Sequence, residues 1–100
     1  MLAKILIERQ FSPGNEKEIL SLLNNLRSLA MNQPGYISGL TMTIPDDPGN
    51  MMVISTWQTL DSWQAWKENT ERKNLEAMLE IYQERPTEYR EYIVGFGLVS

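Results

Sequence analysis

The stretch from Tyr36 to Trp57, YISGLTMTIPDDPGNMMVISTW, decides the fold because it encodes two strands and the turn between them. Residues 36–44 alternate between two faces, as a half-buried strand does. The segment PDDPGN at 45–50 then concentrates the residues that favour turns. Met51 to Trp57 follows as a second run of apolar and β-branched residues. The pattern predicts a β-hairpin in the middle of the chain.

A strand and a helix precede the hairpin. Residues 2–11, LAKILIERQF, are apolar on both faces as far as Ile7, which predicts a strand covered on two sides. Ser12 can cap a helix that has Pro13 at its first position and runs to about Asn32. Pro34 and the glycine after it end that helix. One apolar stripe at helical spacing marks its buried face: Ile19, Leu22, Leu23, Leu26, Leu29 and Ala30.

A helical region and a last strand follow the hairpin. Thr59 can cap a helix over Leu60 to about Asn69, and a second helical segment covers Thr70 to about Glu84, with a break near residues 69–70. Tyr89 to Val99 is rich in aromatic and β-branched residues, which predicts a strand. The resulting β-α-β-β-α-β order predicts an α+β, ferredoxin-like domain over residues 1–100. Such a domain has both helices on one face of a four-stranded antiparallel sheet.

The strands are apolar on the face that the helices leave open as well as on the face that they cover. Leu2 and Leu6 oppose Ile5 and Ile7 in the first strand, and the third strand repeats this pattern. An open sheet face of this kind would be a large hydrophobic patch. A homodimer that pairs the two sheets face to face would bury it. The alternative is a monomer whose own loops or C-terminal strand cover the face.

Composition excludes several functions. The net charge of −4 and the scattered basic residues argue against nucleic-acid binding. No apolar run approaches the length of a membrane span, and the N-terminus lacks the pattern of a signal peptide, so we expect a cytoplasmic protein. The chain has no Cys and no His, which removes thiol catalysis, the usual general base and the commonest transition-metal ligand. Metal sites built only from Asp and Glu remain open, but the sequence shows no such cluster with ligand spacing, only Asp46 and Asp47 in a turn, so we expect no metal site.

The sequence resembles the antibiotic biosynthesis monooxygenase (ABM) domain family over essentially its whole length. The segment from Gln33 to Gly39, QPGYISG, resembles the start of the family's second strand. The stretch from Val53 to Met78 resembles its third strand and tryptophan-bearing helix. The resemblance implies a dimeric α+β barrel. It also implies one of several activities, which include oxidation of aromatic polyketides or quinols by O₂ without a cofactor.

One branch of the resemblance, the haem-degrading monooxygenases, can be tested by residue. That branch places an Asn late in the first strand, a Trp on the second helix and a haem-ligating His further along. Here the corresponding positions are Glu8, Trp66 and Glu76, so the Asn and the ligand are both replaced. The sequence therefore argues against haem, and we expect no cofactor.

Three tryptophans within a short stretch are candidates for a ligand pocket. Trp63 and Trp66 share one helix face and could stack on a flat aromatic ligand, or they could simply pack in the core. The resemblance favours ligand contact for Trp66. Trp57, at a strand end, is interpreted as structural.

Polar residues supply the other candidates. Glu8 could enter the pocket as a base, with a rim ion pair as the alternative. Asn69 and Arg72, where the second helix breaks, could bind a ligand oxygen or merely cap and solvate. Glu76 and Tyr36 could also face the pocket.

Three functional hypotheses follow. The first is an ABM-type monooxygenase, with Glu8, Trp66 and Arg72 as catalytic candidates, oxidising a planar aromatic or quinol substrate. Its pocket would also be lined by Tyr36, Trp63, Asn69 and Glu76. The second is a non-catalytic dimeric module that binds or senses a small hydrophobic molecule. A structural protein whose pocket is filled by its own side chains remains a third hypothesis.

Overall fold

The computed structural model of the 100-residue chain describes residues 1–95. A four-stranded antiparallel sheet has the strand order β2-β3-β1-β4, with the helices on one face, which confirms the predicted βαββαβ arrangement. The elements are β1 (Ala3–Gln10), α1 (Glu16–Met31), β2 (Tyr36–Ile44), β3 (Asp47–Trp57), α2 (Leu60–Lys67), α3 (Thr70–Glu80) and β4 (Glu88–Ile93).

The core lies between the helices and the inner face of the sheet. Alternation along β1 turns Ala3, Ile5 and Ile7 toward the helices, and all three are buried. The apolar stripe of α1 packs on them, with Leu22 and Leu26 buried as the spacing predicts. The remaining buried apolar residues of the core are Phe11, Ile19, Trp57, Trp63, Trp66 and Leu79.

The first helix begins later than predicted. Ser12 does not cap it, because residues 12–14 form a turn and α1 starts at Glu16, after Asn15. Gly14 has a φ of +109°, which a right-handed helix cannot include. The backbone N–H of Ser12 instead donates to the carbonyl oxygen of Tyr82 at 2.9 Å. That bond ties the turn to the far end of α3.

The boundaries of the second half are partly as predicted. Thr59 caps α2 by accepting from the backbone N–H of Ser62, and the break before Thr70 is present. Helix α3 ends at Glu80 rather than near residue 84, because the chain turns after this residue. Gln83 then forms an isolated antiparallel bridge with Phe11, which directly follows β1. Strand β4 ends at Ile93, and the predicted strand residues 96–99 lie outside the described residues.

Strand β3 is longer than the sequence indicates. It begins at Asp47 instead of Met51, so the predicted turn shrinks to two residues, and a register shift at Thr43/Ile44 accommodates the extra length. Gly49 allows this extension. A Cβ at Gly49 would collide with the carbonyl oxygen of Phe11, so a residue with a side chain does not fit at this position.

The opposite side of the sheet, here called the outer face, is apolar at its centre. Leu6, Ile54 and Leu40 lie side by side across β1, β3 and β2, and the next row along carries two methionines, Met52 and Met42. Leu40 is 57% exposed and Met42 is 42% exposed. Within residues 1–95, no segment of the chain therefore covers Leu40 and Met42.

Candidate functional site

A cavity of about 300 Å³ lies between the inner face of the sheet and the helices. The strands form one wall, with Ile7, Arg9, Tyr36, Gly39, Thr41, Met51, Val53, Ser55 and Trp57. Helix α1 contributes Leu20, Leu23, Asn24, Leu26, Arg27 and Ala30, and the second helical region contributes Trp63, Trp66, Arg72 and Glu76. The lining is mainly apolar and aromatic with a few convergent charges, which is typical of a small-molecule site.

Three charged side chains meet at the cavity wall and are called here the Arg9–Glu76–Arg72 cluster. Both guanidinium groups approach the same carboxylate oxygen, Glu76 Oε1: Arg9 Nη2 donates to it directly, and Arg72 Nη2 lies 3.5 Å away. Arg9, Arg72 and Glu76 are only 4, 5 and 7% exposed. Such charges are tolerated in an interior only when they are paired.

The pairing in this cluster is incomplete. Arg9 Nε and Glu76 Oε2 are buried and have no hydrogen-bond partner. A buried donor and a buried acceptor left unpaired cost free energy, and in native proteins they commonly mark a functional role or an unobserved small molecule. The incomplete pairing therefore marks the cluster as a candidate functional feature of the cavity wall.

Arg72 is held in place by the start of α3. Asn69 accepts from the backbone N–H of Arg72 at 3.0 Å and so caps the helix. The Arg72 side chain donates to the carbonyl oxygen of Lys67 at 3.3 Å and to the hydroxyl oxygen of Tyr89 at 2.6 Å. Its guanidinium also lies 5.4 Å from the ring centre of Trp63. These contacts fix the guanidinium beside the cavity.

Aromatic rings form a continuous series along the same wall. The ring centres of Tyr36 and Trp57 are 5.4 Å apart, and those of Trp57 and Trp63 are 6.0 Å apart. Trp57 Nε1 donates to Ser55 Oγ at 3.1 Å, and Trp63 Nε1 donates to Glu91 Oε2 at 2.5 Å. Because both indole N–H groups are engaged, the two rings are fixed in orientation.

Gly39 makes room for the tyrosine of this series. A Cβ at Gly39 would lie 2.8 Å from the hydroxyl oxygen of Tyr36, which is closer than real contacts allow. The absence of a side chain at position 39 therefore lets the Tyr36 ring lie across β2 at the cavity wall.

Tyr89 should lose its proton only at unusually high pH. Burial raises the pKa of the Tyr89 hydroxyl, and the negative charge of Glu76 raises it further, while Arg72 partly offsets both effects. The unfolded chain ionises near pH 10, so this contribution to stability is complete below about pH 10 and is lost as pH rises toward the higher folded pKa. An ultraviolet titration should show a late tyrosinate step, which Tyr89→Phe removes. A high-pH end of the titration curve that Tyr89→Phe leaves unchanged would contradict this expectation.

The structure brings five of the seven predicted site residues together at the cavity: Tyr36, Trp63, Trp66, Arg72 and Glu76. Asn69 is not among the lining residues, and its side chain caps α3. This is the capping alternative that the sequence left open.

The prediction that Glu8 enters the pocket is wrong. Glu8 lies on the outer face, 3.5 Å from Asn50 Nδ2 and 3.9 Å from Arg85 Nη2. Alternation along β1 explains this position. The odd-numbered residues Ile5, Ile7 and Arg9 turn toward the helices, so Glu8 turns to the other side.

Sequence reasoning did not identify two cationic residues of the cavity. Arg9 adjoins Glu8 on β1, so only one of the two side chains can face the helices. The shared parity of Arg9 with Ile5 and Ile7 indicates its side only once it is known which face of β1 the helices cover. Arg27 carries a weaker signal, since it directly follows the buried Leu26 and lies at the edge of the apolar stripe of α1.

The residues do not fit a haem or metal centre. Glu76 stands at the position that the resemblance to haem-degrading monooxygenases assigns to the haem ligand. Its carboxylate is engaged by two guanidinium groups. Within residues 1–95, no three side chains of the His, Cys, Asp or Glu type gather as metal ligands would. In the same part of the chain, none of the helices combines the length and the apolar character needed to cross a bilayer.

Comparisons with known proteins agree with this geometry. A conserved protein from Methanosarcina mazei superposes with a TM-score of 0.85 at 16% identity, covering 92% of this chain and 91% of that one. SnoaB of Streptomyces nogalater, described as a cofactor-independent oxygenase, superposes with a TM-score of 0.83 at 13% identity, covering 95% and 94%. Rv0793 of Mycobacterium tuberculosis gives 0.84 at 11% identity, covering 96% and 97%.

At these low sequence identities, the superpositions establish a shared fold and nothing more. None of the curated proteins matches the chain in sequence. The sequence profile described as "Antibiotic biosynthesis monooxygenase" matches residues 3–90, which is most of the chain. The chain therefore belongs to the antibiotic biosynthesis monooxygenase family.

Proposed function

We propose that this protein is a cofactor-independent monooxygenase that oxidises a planar aromatic or quinol substrate with O₂ in the cavity beside Trp66. The observation that carries the proposal is the cavity itself, where an aromatic wall meets a buried charged cluster that has an unused donor and an unused acceptor. Membership of the family and the fold shared with SnoaB, a cofactor-independent oxygenase, support the same reaction class.

The reaction can be written for an anthrone, whose central ring carries a CH₂ group opposite its carbonyl group and conjugated to it through the two outer rings. Loss of one CH₂ proton gives an enolate, which passes one electron to O₂. The two radicals combine into a C–O bond, and the peroxide takes up a proton. Loss of water across the remaining C–H and the O–O bond then leaves a carbonyl. One oxygen atom enters the product and the other leaves as water, with all four electrons drawn from the CH₂ carbon.

The charged cluster suits the first step. Arg9 and Arg72 would supply positive charge beside the enolate oxygen, and an opposite charge favours the ionised form of an acidic group. Glu76, the carboxylate that lines the cavity, would take the proton. The rings of Trp63 and Trp66 would hold the substrate flat and exclude water.

Oxygen consumption measured against a panel of anthrones and quinols tests this proposal. We expect uptake with at least one substrate, and we expect Arg72→Gln to lower kcat/KM by about 10²-fold, the usual effect of removing one electrostatic contact to a developing anion. Lys73→Gln is the matched control, because Lys73 is exposed on the same helix and pairs only with the exposed Glu68. Circular dichroism would show that both variants are folded. No uptake across the panel would contradict the proposal.

One observation favours a second function, a non-catalytic binding module. The single carboxylate in the cavity lining, Glu76, is already engaged by two guanidinium groups, which leaves it less free to act as a base. In that case aromatic ligands would change the tryptophan fluorescence while oxygen consumption stays at background.

We also propose that two copies pair through their outer faces. The support is the exposed apolar centre of that face, where Leu40 and Met42 meet water in the single chain. Four charged residues flank the centre, Lys4, Glu8, Glu88 and Arg90, and their charges balance, so a two-fold partner would meet no excess of one sign. A dimer of this kind would leave the cavity on the far side of each sheet.

A further inference from the structure

The cavity has the opposite charge to the protein that contains it. The chain as a whole carries a net charge of −4. The residues that line the cavity include three arginines, Arg9, Arg27 and Arg72, and a single carboxylate, Glu76. Three positive charges against one negative charge leave an excess of two positive charges at this place. An acidic protein that concentrates cations around one cavity attracts anions there.

The deep part of the cavity holds one of these excess charges. Glu76 can neutralise only one of the two guanidinium groups that contact it, and the other partner that Arg72 finds, the Tyr89 hydroxyl, is neutral. Arg9 is only 4% exposed, yet its Nε–H has no acceptor. A second negative charge in the cavity would balance the charge of this cluster.

The mouth of the cavity holds the other excess charge. Asn24 and Arg27 are exposed residues of α1 that also line the cavity, and Thr41 on β2 is exposed on the strand side. Among the described residues, no carboxylate lies within ion-pair distance of Arg27, whereas Arg85, which is exposed elsewhere on the chain, is paired. The guanidinium of Arg27 is therefore available to a ligand that enters between α1 and β2.

We propose that the cavity selects a planar aromatic ligand that carries a permanent carboxylate over its neutral analogue, with Arg27 as the residue that recognises this group. The inference rests on the proposed function only in using the same cavity as the ligand site. The two excess charges then have separate counterparts. Arg27 meets the carboxylate that the ligand brings, and the Arg9–Glu76–Arg72 cluster meets the oxygen that becomes negative during reaction.

Calorimetric titration of a matched pair of ligands tests this selectivity. The pair is 2-naphthoate and 2-naphthamide, which share their ring system and shape and differ in charge. We expect the wild-type protein to bind 2-naphthoate about tenfold more tightly than the amide, as a charge-assisted contact allows. Added salt should weaken the binding of naphthoate and leave that of the amide unchanged.

Variants locate the recognition. Replacing Arg9 or Arg72 would change the charged cluster that the monooxygenase proposal also uses, so Arg27→Gln is used, since Arg27 is exposed in the described structure. We expect this change to weaken naphthoate binding about fivefold and to leave amide binding unaltered. Lys17→Gln is the control, because it removes the same charge from an exposed position of α1 outside the cavity lining.

The outcomes separate this inference from the monooxygenase proposal. Equal affinity for the two ligands, no binding of either, or equal effects of Arg27→Gln and Lys17→Gln would overturn the selectivity for carboxylates. Turnover of neutral anthrones together with equal affinities would support the monooxygenase and overturn the inference. Preference for naphthoate without oxygen uptake on any substrate would support the inference and contradict the monooxygenase.

Discussion

Replacing Glu76 with alanine is expected to lower the free energy of unfolding by about 3–5 kcal/mol, the range for removing one partner from a buried ion pair. The carboxylate of Glu76 is the shared counter-charge of Arg9 and Arg72, which are both at least nine-tenths buried. Without it, two guanidinium groups face each other in the interior with no anion between them. Urea denaturation followed by circular dichroism measures the change.

Two further variants show whether charge is the cause. Glu80→Ala removes a carboxylate from an exposed position one turn further along α3, and it should change stability by less than about 0.5 kcal/mol. The double variant Arg9→Met/Glu76→Leu removes one charge of each sign, and it should be more stable than Glu76→Ala despite carrying one more substitution. If the double variant were the less stable of the two, lost packing rather than unpaired charge would explain the effect.

The order of elements could be predicted from the sequence because periodicity and turn residues are local signals. The hairpin around residues 45–50, the apolar stripe of α1 and the break before Thr70 each depend on neighbours within a few positions, and each is present in the structure. The start of α1 could not be predicted in this way. Ser12 and Pro13 form a good capping pattern, but Gly14 adopts a positive φ and Ser12 bonds to a residue at the end of α3.

Most of the predictable part of the site lies on the second helical region. Trp63, Trp66, Arg72 and Glu76 follow from the resemblance and the helical spacing, and all four line the cavity. The choice between Glu8 and Arg9 could not be made so easily, because both faces of β1 are apolar and the helices could have covered either.

The charged cluster itself joins β1 to α3 across 67 positions of sequence. Two arginines that converge on one glutamate leave no local pattern, since the contact exists only after the sheet and α3 have packed together. The excess positive charge of the cavity could not be predicted either, since its arginines come together only on folding. The composition of the whole chain, which is acidic, indicates the opposite sign.

The largest expected effect concerns assembly. Leu40→Glu should raise the dissociation constant of the proposed dimer by at least about 10³-fold, because burying a carboxylate costs several kcal/mol and each tenfold change corresponds to about 1.4 kcal/mol. The two-fold symmetry places the substituted side chain in the interface twice. Leu40 is 57% exposed in the single chain, so the change should not disturb folding.

Light scattering over a concentration series distinguishes the two states. The wild-type chain of 11.6 kDa should scatter as a particle of twice that mass at micromolar concentration. The Leu40→Glu variant should scatter as a particle with the mass of a single chain. Met78→Glu is the matched control, because Met78 is an apolar side chain on α3 that is 50% exposed and lies away from the outer face. Since that variant adds the same charge without touching the sheet, it should remain dimeric. A wild-type particle of single mass, or a Leu40→Glu variant as dimeric as the control, would mean that the outer face meets water or a different protein, and the pairing of sheets would then be wrong.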